Sequence, residues 1–139
     1  MKKIHAAAAA CAVMLLGGCS GLKSAAPDGA APELAGQTYV WTEGSKDEAK
    51  PAVTFGADGR LSGTSGCNRM IGSWKLEGTT LKLGRIGSTM MMCSPEAMKV
   101  EAAFLEKLGR ASAATLLDGR LVLWDEAGER VLTLDPSAS

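Results

Sequence analysis

Among 139 residues there is one histidine, His5, and it lies in a leader that the mature protein is expected to lose. Without an imidazole, a serine or cysteine nucleophile lacks its usual activating base. Aromatic residues are scarce at 4 %, and Lys+Arg and Asp+Glu balance at 15 each. There is therefore neither a basic stripe nor a set of stacking side chains for nucleic acid. No two cysteines stand in Cys-x-x-Cys spacing, which removes the common redox motif. The glycines fall in separate turns, with none leading from a strand into a helix as a phosphate cradle requires.

What is present begins with a leader. Lys2 and Lys3 form a positive end, Ala6 to Leu16 form an apolar stretch, and Leu15-Leu16-Gly17-Gly18-Cys19-Ser20 supplies small residues before a cysteine. The order is that of a secretory signal peptide, and the apolar stretch is too short to span a bilayer. The closing cysteine makes it a lipoprotein signal: residues 1–18 are removed and Cys19 becomes the first mature residue, carrying palmitate-type acyl chains. Several chains on one residue anchor far more firmly than a single myristoyl group. Ser20 after the acylated cysteine favours the outer membrane, facing the periplasm. Loss of Lys2 and Lys3 leaves 13 cations against 15 acids, a formal charge of −2. Cys67 and Cys93 are then the only thiols left, in an oxidising compartment.

Residues 19–33 contain small residues, two prolines and few bulky apolar groups. They read as an acylated N-terminus and flexible tether, unable to bury enough surface to offset ordering entropy. Residues 136–139 read as a polar tail, which leaves one domain over 34–135. Its apolar residues alternate with period two between closely spaced turn signals, the pattern of antiparallel hairpins. Strands are expected at Gln37–Thr42, Ala52–Phe55, Arg60–Thr64, Gly72–Leu76, Thr80–Leu83, Ala113–Leu117, Arg120–Trp124 and Arg130–Leu134. Asp58-Gly59, Glu77-Gly78, Asp118-Gly119 and Ala127-Gly128 supply the reversals. Val53, Phe55, Trp74, Leu76, Leu81, Leu83, Leu121, Leu123, Leu132 and Leu134 fall on the core face.

One segment has a different period. Ser94-Pro95-Glu96 offers an N-cap, a proline at the first helical position and an acid in the first turn. The spacing predicts an amphipathic helix over Ala97–Leu108, stopped by Gly109, with Met98, Ala102, Leu105 and Leu108 as its inward stripe. Glu101 and Glu106 dilute any basic face, so the helix is expected to pack on the sheet.

Two motifs remain: Ser65-Gly66-Cys67-Asn68-Arg69 followed by Gly72-Ser73-Trp74, and Ser88-Thr89-Met90-Met91-Met92-Cys93. They resemble the META domain, the HslJ-like family of bacterial envelope proteins. The match is carried by Gly66, Cys67, Asn68, Gly72 and Trp74 in the first motif, and by Thr89, Met91 and Cys93 in the second. Met70 and Met92 depart from it, standing where the family often has an aromatic and a small residue. The resemblance extends over nearly all of 34–135. It implies a mainly β (α+β) fold: a curved antiparallel sheet of about seven to eight strands with one amphipathic helix packed on it. It implies no established enzymatic activity, and links the family to heat shock, resistance to some antibiotics, and secretion or motility.

Cys67 and Cys93 have four readings: a disulfide, two buried reduced thiols, a redox pair, or, with Met90, Met91 and Met92, a soft Cu(I) site. A strand through the methionines would send Met91 to the opposite face from its neighbours, against convergence on one ion. Asn68 suits the backbone groups of a tight loop. Ser65, Ser88 and Thr89 lack a base, and Asp125-Glu126 and Asp47-Glu48 read as solvated turn residues. The expected function is non-enzymatic, with no cofactor: a membrane-anchored, stress-related accessory protein binding an envelope protein. The alternatives are a carrier or sensor of a small apolar ligand or lipid, or an inhibitor of a secreted hydrolase.

Overall fold

The computed structural model describes residues 27–44 and 50–137. The leader, Cys19, the first part of the tether and the Asp47-Glu48 pair lie outside the described residues. Among the described residues nine strands form: β1 Gln37–Val40, β2 Ala52–Phe55, β3 Arg60–Thr64, β4 Arg69–Glu77, β5 Thr80–Leu83, β6 Gly87–Ser88, β7 Ala113–Leu117, β8 Arg120–Trp124 and β9 Arg130–Pro136. The helix α1, Pro95–Arg110, lies between β6 and β7. β2, β3, β5, β7 and β8 have the bounds that alternation predicts. β4 starts three residues before the expected Gly72 because Met70, 1 % exposed, continues the inward alternation. β1 stops at Val40, short of Thr42, and the two residues of β6 are too few to show a period.

Every pairing is antiparallel, and the sheet order is β3-β2-β1-β9-β8-β7-β5-β4-β6. β4 also pairs with β3, Arg60 opposite Ser73 through Thr64 opposite Arg69. The curved sheet therefore closes into a ring of eight strands, taken nearly in chain order. A ring of this size is just wide enough for side chains to fill. Tyr39, Val53, Phe55, Leu61, Met70, Leu81, Leu121, Leu123, Leu132 and Leu134 share its buried core. The Asp118-Gly119 turn between β7 and β8 has φ of 53° and 77°, the paired positive values that match a hairpin turn to strand twist.

Two joints in the ring are narrow. β5 meets β7 at Thr80 opposite Ala113, with Leu81 N donating to Ser112 O (3.0 Å) and Ala114 N to Thr79 O (2.8 Å). β9 meets β1 at only Pro136 and Asp135, opposite Tyr39 and Val40. An ionic cluster clamps the second joint: Arg120 Nε reaches Asp135 Oδ1 at 2.7 Å, Arg120 Nη2 reaches Glu43 at 3.0 Å, and Thr42 Oγ1 donates to Asp135. These contacts hold the Asp135 carboxyl below its usual range, Arg120 contributing most and Thr42 next.

The joints also correct the expected domain ends. Ala30, assigned to the tether, exchanges two backbone hydrogen bonds with Leu116 (3.0 and 2.8 Å), and Pro32 and Leu34 are buried. The arm covers the part of the β7 edge that β5 leaves unpaired, which protects an otherwise open edge. At the other end Ser137 N donates to Thr38 O at 2.9 Å. The expected tail thus begins as part of β9, which must run that far to reach β1.

The helix corrects a second expectation. It runs Pro95–Arg110, capped by Ser94 Oγ on Ala97 N at 3.2 Å, and Gly109 lies inside it. Its buried residues are Glu101, Phe104 and Leu108; Ala102, assigned to the inward stripe, is exposed. Phe104 is 0 % exposed, with its ring centroid 5.7 Å from that of Trp41. Phe104→Ala should cost about 3–5 kcal/mol in urea unfolding. A loss below about 1 kcal/mol would show that the helix is not part of the folding core.

Candidate functional site

The two sequence motifs meet around Asn68. The β3–β4 loop turns through Gly66, whose φ of +114° disfavours any residue with a side chain. Ser65 N donates back to Asn68 O at 2.9 Å, closing the loop. Asn68, 3 % exposed, then spends its amide on two different segments. Its Oδ1 accepts from Met91 N (2.6 Å) and from Thr89 Oγ1 (2.9 Å), while its Nδ2 donates to Glu101 Oε2 (3.0 Å) and Met91 O (3.4 Å). Thr89 Oγ1 in turn accepts from Arg69 N at 3.0 Å. The polarity of the partners fixes which way the amide points. The Asn68 side chain serves backbone groups, as the sequence suggests, but those of Met91 in the second motif and not those of its own loop.

The third member is Glu101, at 7 % exposure in the middle of the inward helix face. Its Oε1 accepts from Asn68 N (3.0 Å) and from the Ser65 hydroxyl, and its Oε2 accepts from Asn68 Nδ2. Burial alone would raise its pKa; the hydrogen bonds from Ser65 and Asn68 outweigh burial and leave it lowered. A buried carboxylate with three donors is satisfied without a cation. In the sequence Glu101 reads only as a charge diluting the helix surface, not as a buried group. The available signal was its spacing: positions 97, 101, 104 and 108 form one helical stripe, and an acid inside such a stripe needs donors.

Cys67 and Cys93 are joined in a disulfide, with Cα atoms 6.0 Å apart and 26 residues of separation. On the chain-entropy model a loop of this length contributes about 3–4 kcal/mol. The bond links the segments that Asn68 also joins, so a covalent and a hydrogen-bonded staple lie side by side. It also removes the thiolate that a soft metal site would need from Cys93. Met90, Met91 and Met92 lie outside any strand, so the alternation expected of them is absent, and all three are exposed.

The remaining motif residues lie farther along β4. Trp74 Nε1 donates to Gly56 O at 2.9 Å, and its ring meets Phe55 edge-on at 5.5 Å. A Cβ on Gly72 would approach Arg85 O and Ile86 at 3.3 Å, so this position lets the β5–β6 connection pass close to β4. Of the residues considered as nucleophiles, Ser65 is 0 % exposed and bound to Glu101. Glu101 could be read as its base, but a carboxylate held below its usual range is a poor one, and no substrate reaches a hydroxyl so buried. Ser88 and Thr89 are exposed, and Thr89 is engaged by Asn68 and Arg69.

The META domain profile matches residues 32–138, which contain the ring, the helix and both motifs. The chain belongs to the META domain family. Among solved structures it is similar to an NMR structure of a protein from Burkholderia xenovorans, at 26 % identity and a TM-score of 0.61, covering 82 % of this chain and 93 % of that one. A second NMR structure, 24 % identical with a TM-score of 0.54, covers 73 % of this chain and 90 % of the other, and bears on the fold alone. A comparison with curated proteins finds no significant match. In this META domain the paired motifs form a junction that fixes loop 65–68, loop 89–93 and α1 to one another.

Glu101→Gln should expose what the carboxylate does. A glutamine would set its NH2 against Asn68 Nδ2, and turning the Asn68 amide would set NH2 against Met91 N–H. The buried mismatch should cost about 1–3 kcal/mol at pH 7. Because the folded pKa of Glu101 is lowered, its stabilisation is complete above the unfolded value of about 4.3 and fades as pH falls through the folded value. Asp125 and Asp135 are also lowered, Asp125 chiefly by the Glu129 backbone and Arg110, and add to acid sensitivity in both proteins. The gap between wild type and variant in urea unfolding should therefore narrow below about pH 4; a gap independent of pH would contradict an ionised Glu101.

Proposed function

We propose that this META domain protein is a lipid-anchored envelope lipoprotein that acts by binding another envelope protein, with Met90, Met91 and Met92 at the contact. The observation carrying this reading is their exposure, 92 %, 57 % and 92 %, on a loop whose backbone Asn68 holds through Met91. Three consecutive large apolar side chains facing water mark a surface that gains by being covered, and methionine adapts to irregular partners. Ile71, 69 % exposed, is a further apolar side chain on the outer face of β4. The basic end, apolar stretch and Gly17-Gly18-Cys19 of the leader support the anchor, with the outer membrane as its location and heat or envelope stress as its setting. The reading is non-enzymatic, since the buried Ser65–Glu101 pair is built as a joint.

A carrier of an apolar ligand is the less favoured reading. Phe55, Leu61, Met70, Leu121, Leu123, Leu132 and Leu134, each at 2 % exposure or less, occupy the core where such a ligand would sit. The cleft beside Ile71, about 690 Å³, is lined by Leu61, Ile71 and Ile86 together with Asp58, Arg60 and Arg85, and it is open to solvent, so it would not enclose a lipid as a carrier pocket does.

Site-specific photocrosslinking in intact cells tests the reading. A crosslinker at position 92 should give a discrete protein adduct that disappears when Met90 and Met91 are changed to Asp, while one at the exposed Lys82 gives none. Adducts equal at both positions, or none at position 92, would reject the contact. Cys19→Ser should move the protein from the membrane to the soluble fraction; unchanged membrane recovery would reject the anchor.

A further inference from the structure

We propose that Met90 and Met92 are a modification site for two-electron oxidants of the hypohalous acid class, taking up oxygen without loss of the fold. Thioether oxidation requires access to the sulfur, and susceptibility follows exposure. Met90 and Met92 are both 92 % exposed, whereas Met70 is 1 % exposed in the core and Met98 is partly covered on the helix. Thiols normally compete for such oxidants, but the two cysteines among the described residues are joined to each other. That leaves the methionine sulfurs as the readily oxidised sulfur on the described surface.

The loop is built to absorb the change. Met91 is held through its backbone, N to Asn68 Oδ1 at 2.6 Å, and Thr89 through its hydroxyl at 2.9 Å. Cys93 is held through its disulfide. Restraint of the loop thus comes from backbone, hydroxyl and disulfide groups, and the Met90 and Met92 side chains are free to change polarity. In the reaction the sulfur lone pair attacks the chlorine of hypochlorous acid and displaces hydroxide. Water then adds to sulfur as chloride leaves, and the net products are sulfoxide, chloride and one proton. Sulfur loses two electrons and chlorine gains them. The product is polar where the thioether was apolar, so the same event would weaken an apolar contact at this loop. That consequence rests on the docking reading; the modification itself does not.

The test is a dose series of hypochlorous acid on the purified full chain carrying Cys11→Ser and Cys19→Ser, so that no free thiol competes, with peptide mass spectrometry reading each methionine and thermal unfolding reading the fold. Met90 and Met92 should reach half-conversion at a dose at least about tenfold below that for Met70, with the melting temperature unchanged over that range. In the Met90→Leu, Met92→Leu variant, sulfoxide at Met98 should rise at lower dose than in wild type, because the competing sulfurs are gone. Conversion of Met70 or Met98 at the same dose as Met90 and Met92, or a melting temperature that falls in step with their oxidation, would overturn the proposal. Because no partner is present, these outcomes are independent of the crosslinking result.

Discussion

The fold depends on a carboxylate kept ionised out of water. Glu101 brings a charge to the inner face of α1, where it has to be met by donors, and those donors come from a loop far away in sequence, Ser65 and Asn68. An apolar residue at this position would leave the Asn68 backbone N–H and one N–H of its amide unanswered in the interior, the other amide N–H still reaching Met91 O. The same two loop residues have few other ways to be satisfied at their burial of 0 % and 3 % exposure. Helix and loop are thus specified together, and Asn68 passes the constraint on to Thr89 and Met91. The adjacent Cys67–Cys93 bond stabilises mainly by limiting the unfolded chain, whereas the hydrogen bonds select one arrangement of the folded one.

Around this joint the chain forms a ring of hairpins with two narrow contacts, and each is supported from outside the ladder. The arm at Ala30 covers the β7 edge, and the Arg120, Asp135, Thr42 and Glu43 cluster covers the β9–β1 closure. Exposed ion pairs contribute little singly, but a bidentate arginine shared between strands adds geometric definition at a place where only two residues pair. The interior is occupied by the protein's own side chains. The large apolar side chains exposed on the described surface are Ile71, Met90, Met91 and Met92.

Much of this was legible in the chain itself. Period-two alternation located five strands with their bounds, because each is flanked by turn residues and has one face in the core. Ser94-Pro95 placed the helix start within two residues. The META resemblance singles out, from the sequence alone, the residues of both motifs that meet around Asn68. Hydrophobicity is a poor guide to the inward face of the helix: Ala102 looks like core and is exposed, while Glu101 looks like surface and is buried. Pattern reading assigns charge to solvent unless the donors are known, and here they lie more than thirty residues away. The arm at Ala30 is illegible for a related reason, since a backbone pairing of small residues leaves no hydrophobic trace. The start of β4 is hidden in the sequence because the strand begins inside the loop motif, at Arg69.

Hydrogen exchange at the Asn68 amide, which donates to Glu101 Oε1 at 3.0 Å, tests the central claim most directly. If the carboxylate locks loop to helix, this amide should exchange only through openings close in free energy to global unfolding. Glu101→Gln should then accelerate it more than it accelerates the Leu123 amide in the ring. Exchange at a loop-like rate in the wild-type protein, or equal acceleration at the two positions, would contradict the account.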